Sequence, residues 1–100
     1  MGDTNYIGSV VKILEKPVPT VINDKMVSTH VRVELVQVRN IQIADLVFWG
    51  NLARDIINTY QVNDYIMVEG YLSLSNKIDD KLINRPLKKV QITVLKVFSL

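Results

Sequence analysis

From Val31 the chain alternates, with Val31, Val33 and Leu35 on one face and Arg32 and Glu34 on the other, the period of two expected of a strand with one buried face. The phase slips at Val36 before Val38, so this run is taken as the second predicted strand. Upstream, Tyr6 to Leu14 is apolar and β-branched with Gly8 inside it, and forms the first strand. Lys16-Pro17-Val18-Pro19 stops any helix and reads as an irregular or edge segment, because each proline lacks a ladder donor. Thr20-Val21-Ile22 and Met26-Val27-Ser28 flank Asn23-Asp24-Lys25, the pattern of a short hairpin. After a polar break at Arg39-Asn40, Ile43 to Trp49 is the third strand and ends at Gly50.

Asn51 offers an N-cap for the one convincing helix, in which Leu52, Ile56 and Tyr60 fall on a single stripe. Val62-Asn63-Asp64 signals a turn, and Tyr65 to Leu74 is a long fourth strand that Gly70 allows to bend. Ser75 to Pro86 is polar and charged and is expected to be a loop. Val90 to Phe98 closes the chain as a fifth strand, with Val90, Ile92 and Val94 alternating against Gln91, Thr93 and Leu95. This element order predicts an all-β fold: a five-stranded Greek-key OB-fold barrel with one short helix between strands 3 and 4. An SH3-like barrel would not spend a full helix there.

Composition supports the strands. Val, Ile and Thr account for 31 of the 100 residues, whereas alanine occurs only at Ala44 and Ala53. That length fits one domain spanning residues 1–100, and the 48% apolar content suffices for a core. Cysteine is absent and His30 is the one histidine, so disulfide scaffolds and zinc or iron–sulfur sites have no ligands, and no cofactor is expected. The polar N-terminus and the lack of a long apolar run give the expectation of a soluble, unprocessed chain. An excess of Ile, Asn, Lys and Tyr fits an AT-rich coding sequence, as in an organelle or low-GC genome.

The net charge of +2 conceals an uneven distribution. Residues 1–70 sum to −2, and residues 71–100 sum to +4 through Lys77, Lys81, Arg85, Lys88, Lys89 and Lys96 against Asp79 and Asp80. Such a cluster is what a phosphate track requires, and equally what a solvated face carries. Asp79-Asp80 has no histidine or third carboxylate near it in sequence and reads as a solvated turn. No nucleophile–base pair, phosphate-binding glycine loop or metal signature occurs, so enzymatic activity is not expected.

Phe48-Trp49-Gly50-Asn51-Leu52-Ala53-Arg54, then Tyr60, then Val68-Glu69-Gly70-Tyr71-Leu72, resembles the bacterial-type single-stranded DNA-binding protein family. Asn5-Tyr6-Ile7-Gly8-Ser9-Val10 is similar to that family's first strand, so the resemblance spans essentially the whole chain. The short length and biased composition look most like the small tail-less relatives of plastid and cyanobacterial genomes. The resemblance implies an OB-fold binding single-stranded DNA, with RNA as a further candidate. It also implies a homodimer or homotetramer, and a cellular setting in bacterial or cyanobacterial cytoplasm or plastid stroma.

If Phe48 enters the core, Trp49 stands on the outer sheet face. The residues alone leave Trp49 open between capping the core, lying in an interface and stacking on a base; the resemblance favours stacking. The candidate nucleic-acid residues are Trp49, Tyr71, Lys77, Lys81, Arg85, Lys88 and Lys89. Tyr71 shares a face with Tyr65 by parity, and a structural role for both is the first reading. Tyr60 is read as a core residue or barrel plug, and His30 as a surface or interface residue. The chain departs from the family pattern where further stacking rings would fall, on Ile43 and Lys77, and where cations would fall, on Asp45 and Asn51. The acidic C-terminal tip that recruits partners in the family is not found after Ser99-Leu100. These departures predict weak, strongly salt-dependent binding and keep open a rival, a primosome-type OB module engaged with proteins. Apolar residues on both parities of the first strand, Tyr6 and Val10 against Ile7 and Val11, imply two covered faces and hence self-association.

Overall fold

The computed structural model describes residues 5–24, 26–36, 42–77 and 87–100. Among these the elements run β1 (Tyr6–Ile13), β2 (Val18–Asn23), β3 (Met26–Leu35), β4 (Gln42–Trp49), α1 (Asn51–Thr59), β5 (Tyr65–Lys77) and β6 (Leu87–Ser99). The sheet order is β1-β5-β6-β4-β3-β2, and β1 also pairs with β3 from Val11–Leu35 to Ile13–Val33, which closes β1, β3, β4, β6 and β5 into a ring. Every pairing is antiparallel except β4 with β6, aligned from Ala44–Val90 to Val47–Thr93. A parallel pair needs a crossover connection, and the chain supplies it with α1 and β5. Five ring strands with a helix between the third and fourth make the expected OB barrel.

The strand count differs from the sequence reading. The second hairpin arm and the second predicted strand are one strand, β3, whose first half pairs with β2 and whose second half pairs with β1. Ser28 and Thr29 interrupt the apolar alternation and so disguise the continuity. Thr29 is fully buried because its hydroxyl donates to the Ala53 carbonyl at 2.8 Å, fastening α1 to the barrel. β2 pairs only with β3 and places Pro19 on the sheet's margin, the edge position anticipated for it.

Phe48, Leu46, Val31, Val33, Val11, Ile13, Ile66, Val68, Ile92 and Ile56 form the barrel interior. Leu52 and Tyr60 pack against it half-buried, so the helical stripe closes one end of the barrel as expected. Tyr60 Oη shares a 2.7 Å hydrogen bond with Ser99 Oγ, tying the helix end to β6.

Two local expectations are corrected. Asn51 does not cap α1; it is the first helical residue, and Gly50 precedes the helix at φ 64° without a side-chain cap. The strand-to-helix corner needs left-handed backbone there, which glycine adopts freely. Gly50 instead donates its N–H to the Val27 carbonyl and accepts the N–H groups of Ala53 and Arg54 at its own carbonyl. In addition, Ser75 to Lys77 extends β5 rather than opening a loop, because Leu87 to Lys89 offers it a continuous antiparallel partner. Asn63 does form the expected turn, at φ 76°, and its N–H donates to the Ile13 carbonyl at 2.7 Å.

Candidate functional site

Directly opposed residues of antiparallel strands project to the same face, so the register defines a surface. Across β3 and β4 the pairs Ser28–Trp49, His30–Val47, Arg32–Asp45 and Glu34–Ile43 take the outward phase, although Ser28 itself is buried, while Thr29, Val31 and Val33 turn inward with Phe48, Leu46 and Ala44. Trp49 is 41% exposed and Phe48 fully buried, as the alternation requires. Val47 shares the outer phase but is only 3% exposed, a short side chain with His30 and Thr93 opposite it on the two neighbouring strands. Ile43 stands exposed on this face where a ring would be expected from the family pattern.

Asp45 is not a bare acid on the Trp49 face. Its Oδ1 lies 3.7 Å from Arg32 Nε, and Arg32 Nη1 donates to Glu15 Oε1 at 3.4 Å. Sequence reasoning missed this cluster because Glu15 comes from the irregular segment after β1 and meets Arg32 only through the closure of β1 on β3. The alternation did place Arg32 on the polar face, but nothing in it pairs 15 with 32.

Tyr71 belongs to a different part of the outer surface. It lies opposite Tyr6 of β1 on one side and Thr93 of β6 on the other. The two tyrosine rings meet edge to face, with centroids 5.5 Å apart and planes at 73°. Tyr6 Oη donates to Glu69 Oε1 at 2.7 Å, and this hydrogen bond to the carboxylate holds the phenol above its ordinary value of 10.0. Tyr65 lies on the same face, with Lys12 Nζ 5.8 Å from its ring centroid.

The remaining candidates are cations of the β5–β6 arm. Lys77, Lys88 and Lys89 lie on its paired backbone, with Asn76 opposite Lys88 and Ser75 opposite Lys89. Lys81 and Arg85 lie outside the described residues, as do Asp79 and Asp80. The described structure thus places Trp49 on one outer sheet face with His30, Arg32 and Asp45, the Arg32–Asp45 pair lying four residues along β4 from it, and sets Tyr71 apart with Tyr6. Among the described residues no group of three or more metal-ligating side chains occurs, and no helix is long and apolar enough to cross a membrane.

The barrel, its helix and its exposed β4 aromatic define a domain of the single-stranded-DNA-binding type in fold. The SSB domain of a Synechococcus sp. protein aligns with a TM-score of 0.74 at 18% identity, covering 98% of both chains. The second single-stranded DNA-binding protein of Mycobacterium smegmatis aligns at 0.74 and 21% identity over 97% of this chain and 89% of the other. The small single-stranded DNA-binding protein of Streptomyces coelicolor aligns at 0.75 and 15% identity over 99% and 96%. No family model matches. The chain belongs to the single-stranded DNA-binding protein family: it is 35% identical over 98 residues to the Trieres chinensis protein named "Putative single-stranded DNA-binding protein ycf41", covering 94% of this chain and 87% of that relative.

Proposed function

We propose that this protein is a single OB domain that binds single-stranded DNA with little sequence preference, without catalysis, in replication or repair. The observation that carries this reading is Trp49, an indole held at the surface of a rigid strand with its neighbour Phe48 locked in the core. A base can stack on that ring whatever its identity, since every base has a π face. Phosphates then run toward the β5–β6 arm, where Lys77, Lys81, Arg85, Lys88 and Lys89 supply positive charge and OB-folds carry an oligonucleotide-binding loop. Tyr71 is a secondary candidate, because its ring already contacts Tyr6. Plastid or cyanobacterial origin agrees with the Synechococcus likeness and the AT-type composition.

Trp49 is the sole tryptophan, which provides a direct test. Titration with oligo-dT at low salt is expected to quench its fluorescence, and added salt to reverse the quenching. No quenching together with no mobility shift at low ionic strength would favour the second reading, a protein-interaction module. Exposed aliphatic Ile43 on the Trp49 face is the observation that supports that alternative.

The same proposal includes self-association. Among the described residues Tyr6–Ser9 of β1 pair with β5 alone, and Tyr6 of β1, Tyr71 of β5, and Leu95 and Phe98 of the next strand, β6, are large exposed side chains. An unpaired edge beside exposed apolar rings is suited to a second copy. Analytical ultracentrifugation is expected to show a dimer or tetramer at micromolar concentration; a stable monomer there would remove this part of the proposal.

A further inference from the structure

We infer that Arg32 is a latent phosphate contact on the Trp49 face, held in check by Glu15 and Asp45. This rests on the single-stranded DNA reading above and adds a site and a means of tuning it. Arg32 and Asp45 form one register pair, and Trp49 lies four residues further along β4, about 13 Å away at the rise of an extended strand. Base stacking on Trp49 would therefore leave the guanidinium within reach of the same strand of DNA.

The geometry of the cluster says why the contact is latent rather than absent. The two carboxylate contacts, at 3.4 and 3.7 Å, are longer than the roughly 2.7–2.9 Å of a strong charge-assisted hydrogen bond. The Arg32 side chain is 53% exposed and that of Glu15 58%, while that of Asp45 is 17% exposed. Water screens such an exposed pair, so its hold on the guanidinium is weak. Nη2 has no partner among the described residues. An open cleft is lined by this cluster, Glu15, Arg32 and Asp45, together with Val18 and His30.

A guanidinium binds carboxylate and phosphate with the same planar fork, so a phosphate takes the cation by displacing Glu15 first. Because the cation is already neutralised within the protein, that exchange releases little net charge. In the native protein Arg32 thus contributes weakly to affinity and little to the salt dependence. Removing both carboxylates converts it into an ordinary phosphate contact. This distinguishes it from the lysines of the β5–β6 arm, for which the cost of the contact is set by solvent ions.

The test is a cycle of oligo-dT affinities against salt for native protein, Glu15→Gln/Asp45→Asn, and that double variant with Arg32→Met added. The double variant is expected to bind roughly 2- to 5-fold more tightly at low salt. Its plot of log affinity against log salt is expected to steepen by about 0.7, the increment for one phosphate on a single strand. Adding Arg32→Met should abolish the steepening, and Arg32→Lys in its place should keep it, since lysine retains the charge. Steepening that survives Arg32→Met would mean that the carboxylates act only by repulsion and would overturn the inference. An unchanged slope in the double variant would overturn it as well. If neither native protein nor variants bind oligo-dT at any salt, the proposed function itself fails and this inference with it. Circular dichroism of each variant excludes misfolding as the cause of a loss.

Discussion

Replacing Gly70 with alanine is expected to lower stability by about 3 kcal/mol or more, the upper range for forcing atoms into a packed site. A β-carbon built at Gly70 would sit 2.0 Å from the Thr93 carbonyl oxygen, 2.9 Å from its carbon and 3.0 Å from the Val94 Cα, all of them backbone atoms. No rotamer change can relieve a clash with backbone. The close approach arises from a bulge: Glu69 pairs with Lys96 but Gly70 with Val94, so Leu95 is the extra residue and β6 folds tightly over β5. For a domain of this size the loss corresponds to a midpoint lowered by roughly 12–24 °C in thermal unfolding. Gly8→Ala is the control, because its new β-carbon would meet only ordinary contacts at 3.6–3.9 Å, and it is expected to change stability by no more than about 0.5 kcal/mol. If Gly70→Ala melted within a few degrees of the native protein, the tight β5–β6 approach would not exist as described.

The second large effect falls on binding. Trp49→Ala is expected to weaken oligo-dT binding roughly 5- to 150-fold, the equivalent of about 1–3 kcal/mol for one stacked base. Fluorescence anisotropy of a labelled oligonucleotide replaces the lost intrinsic signal. Since stacking releases no counterions, the salt slope should stay unchanged while the whole line moves down, which separates the ring's role from that of the cations. Trp49→Phe should recover most of the affinity by restoring an aromatic face. Stability should hardly change in either variant, given that the ring is 41% exposed and the core beneath it belongs to Phe48. Unaltered affinity in Trp49→Ala would remove stacking from the mechanism and leave other routes to DNA intact.

What could be read in the sequence was whatever depends on short-range periodicity. The inward phase of Val31, Val33 and Leu35, the outward phase of Trp49 and the turn at Asn63 all follow from strand alternation or from residues with special backbone freedom. Partnership at long range was not readable. Ser75 to Lys77 reads as loop because polar residues carry no periodic signal, and only pairing with Leu87–Lys89 makes it strand. The bulge at Leu95 reverses the phase of β6, so that Val97 rather than Lys96 packs on the core, and nothing local announces the switch. The same holds for Glu15 and Arg32, 17 residues apart in sequence and joined by barrel closure. On the site side, the resemblance points to Trp49, but the residues that share its sheet face are identified only from the register.

The position of β6 also governs how the molecule can be made. This last strand lies between β4 and β5 in the sheet, with Val90–Thr93 serving as the parallel partner of Ala44–Val47. A nascent chain therefore emerges with the facing edges of β4 and β5 unmatched, and no intermediate length offers them a substitute. Folding must await the 13 residues of β6, so the barrel assembles only once that strand has been made rather than progressively from its N-terminus. High contact order of this kind places the closing step in the slow range, about milliseconds to seconds. During that interval the open edges are exposed to pairing with other chains, and stalling short of Leu87 would be expected to yield aggregates rather than a partial barrel.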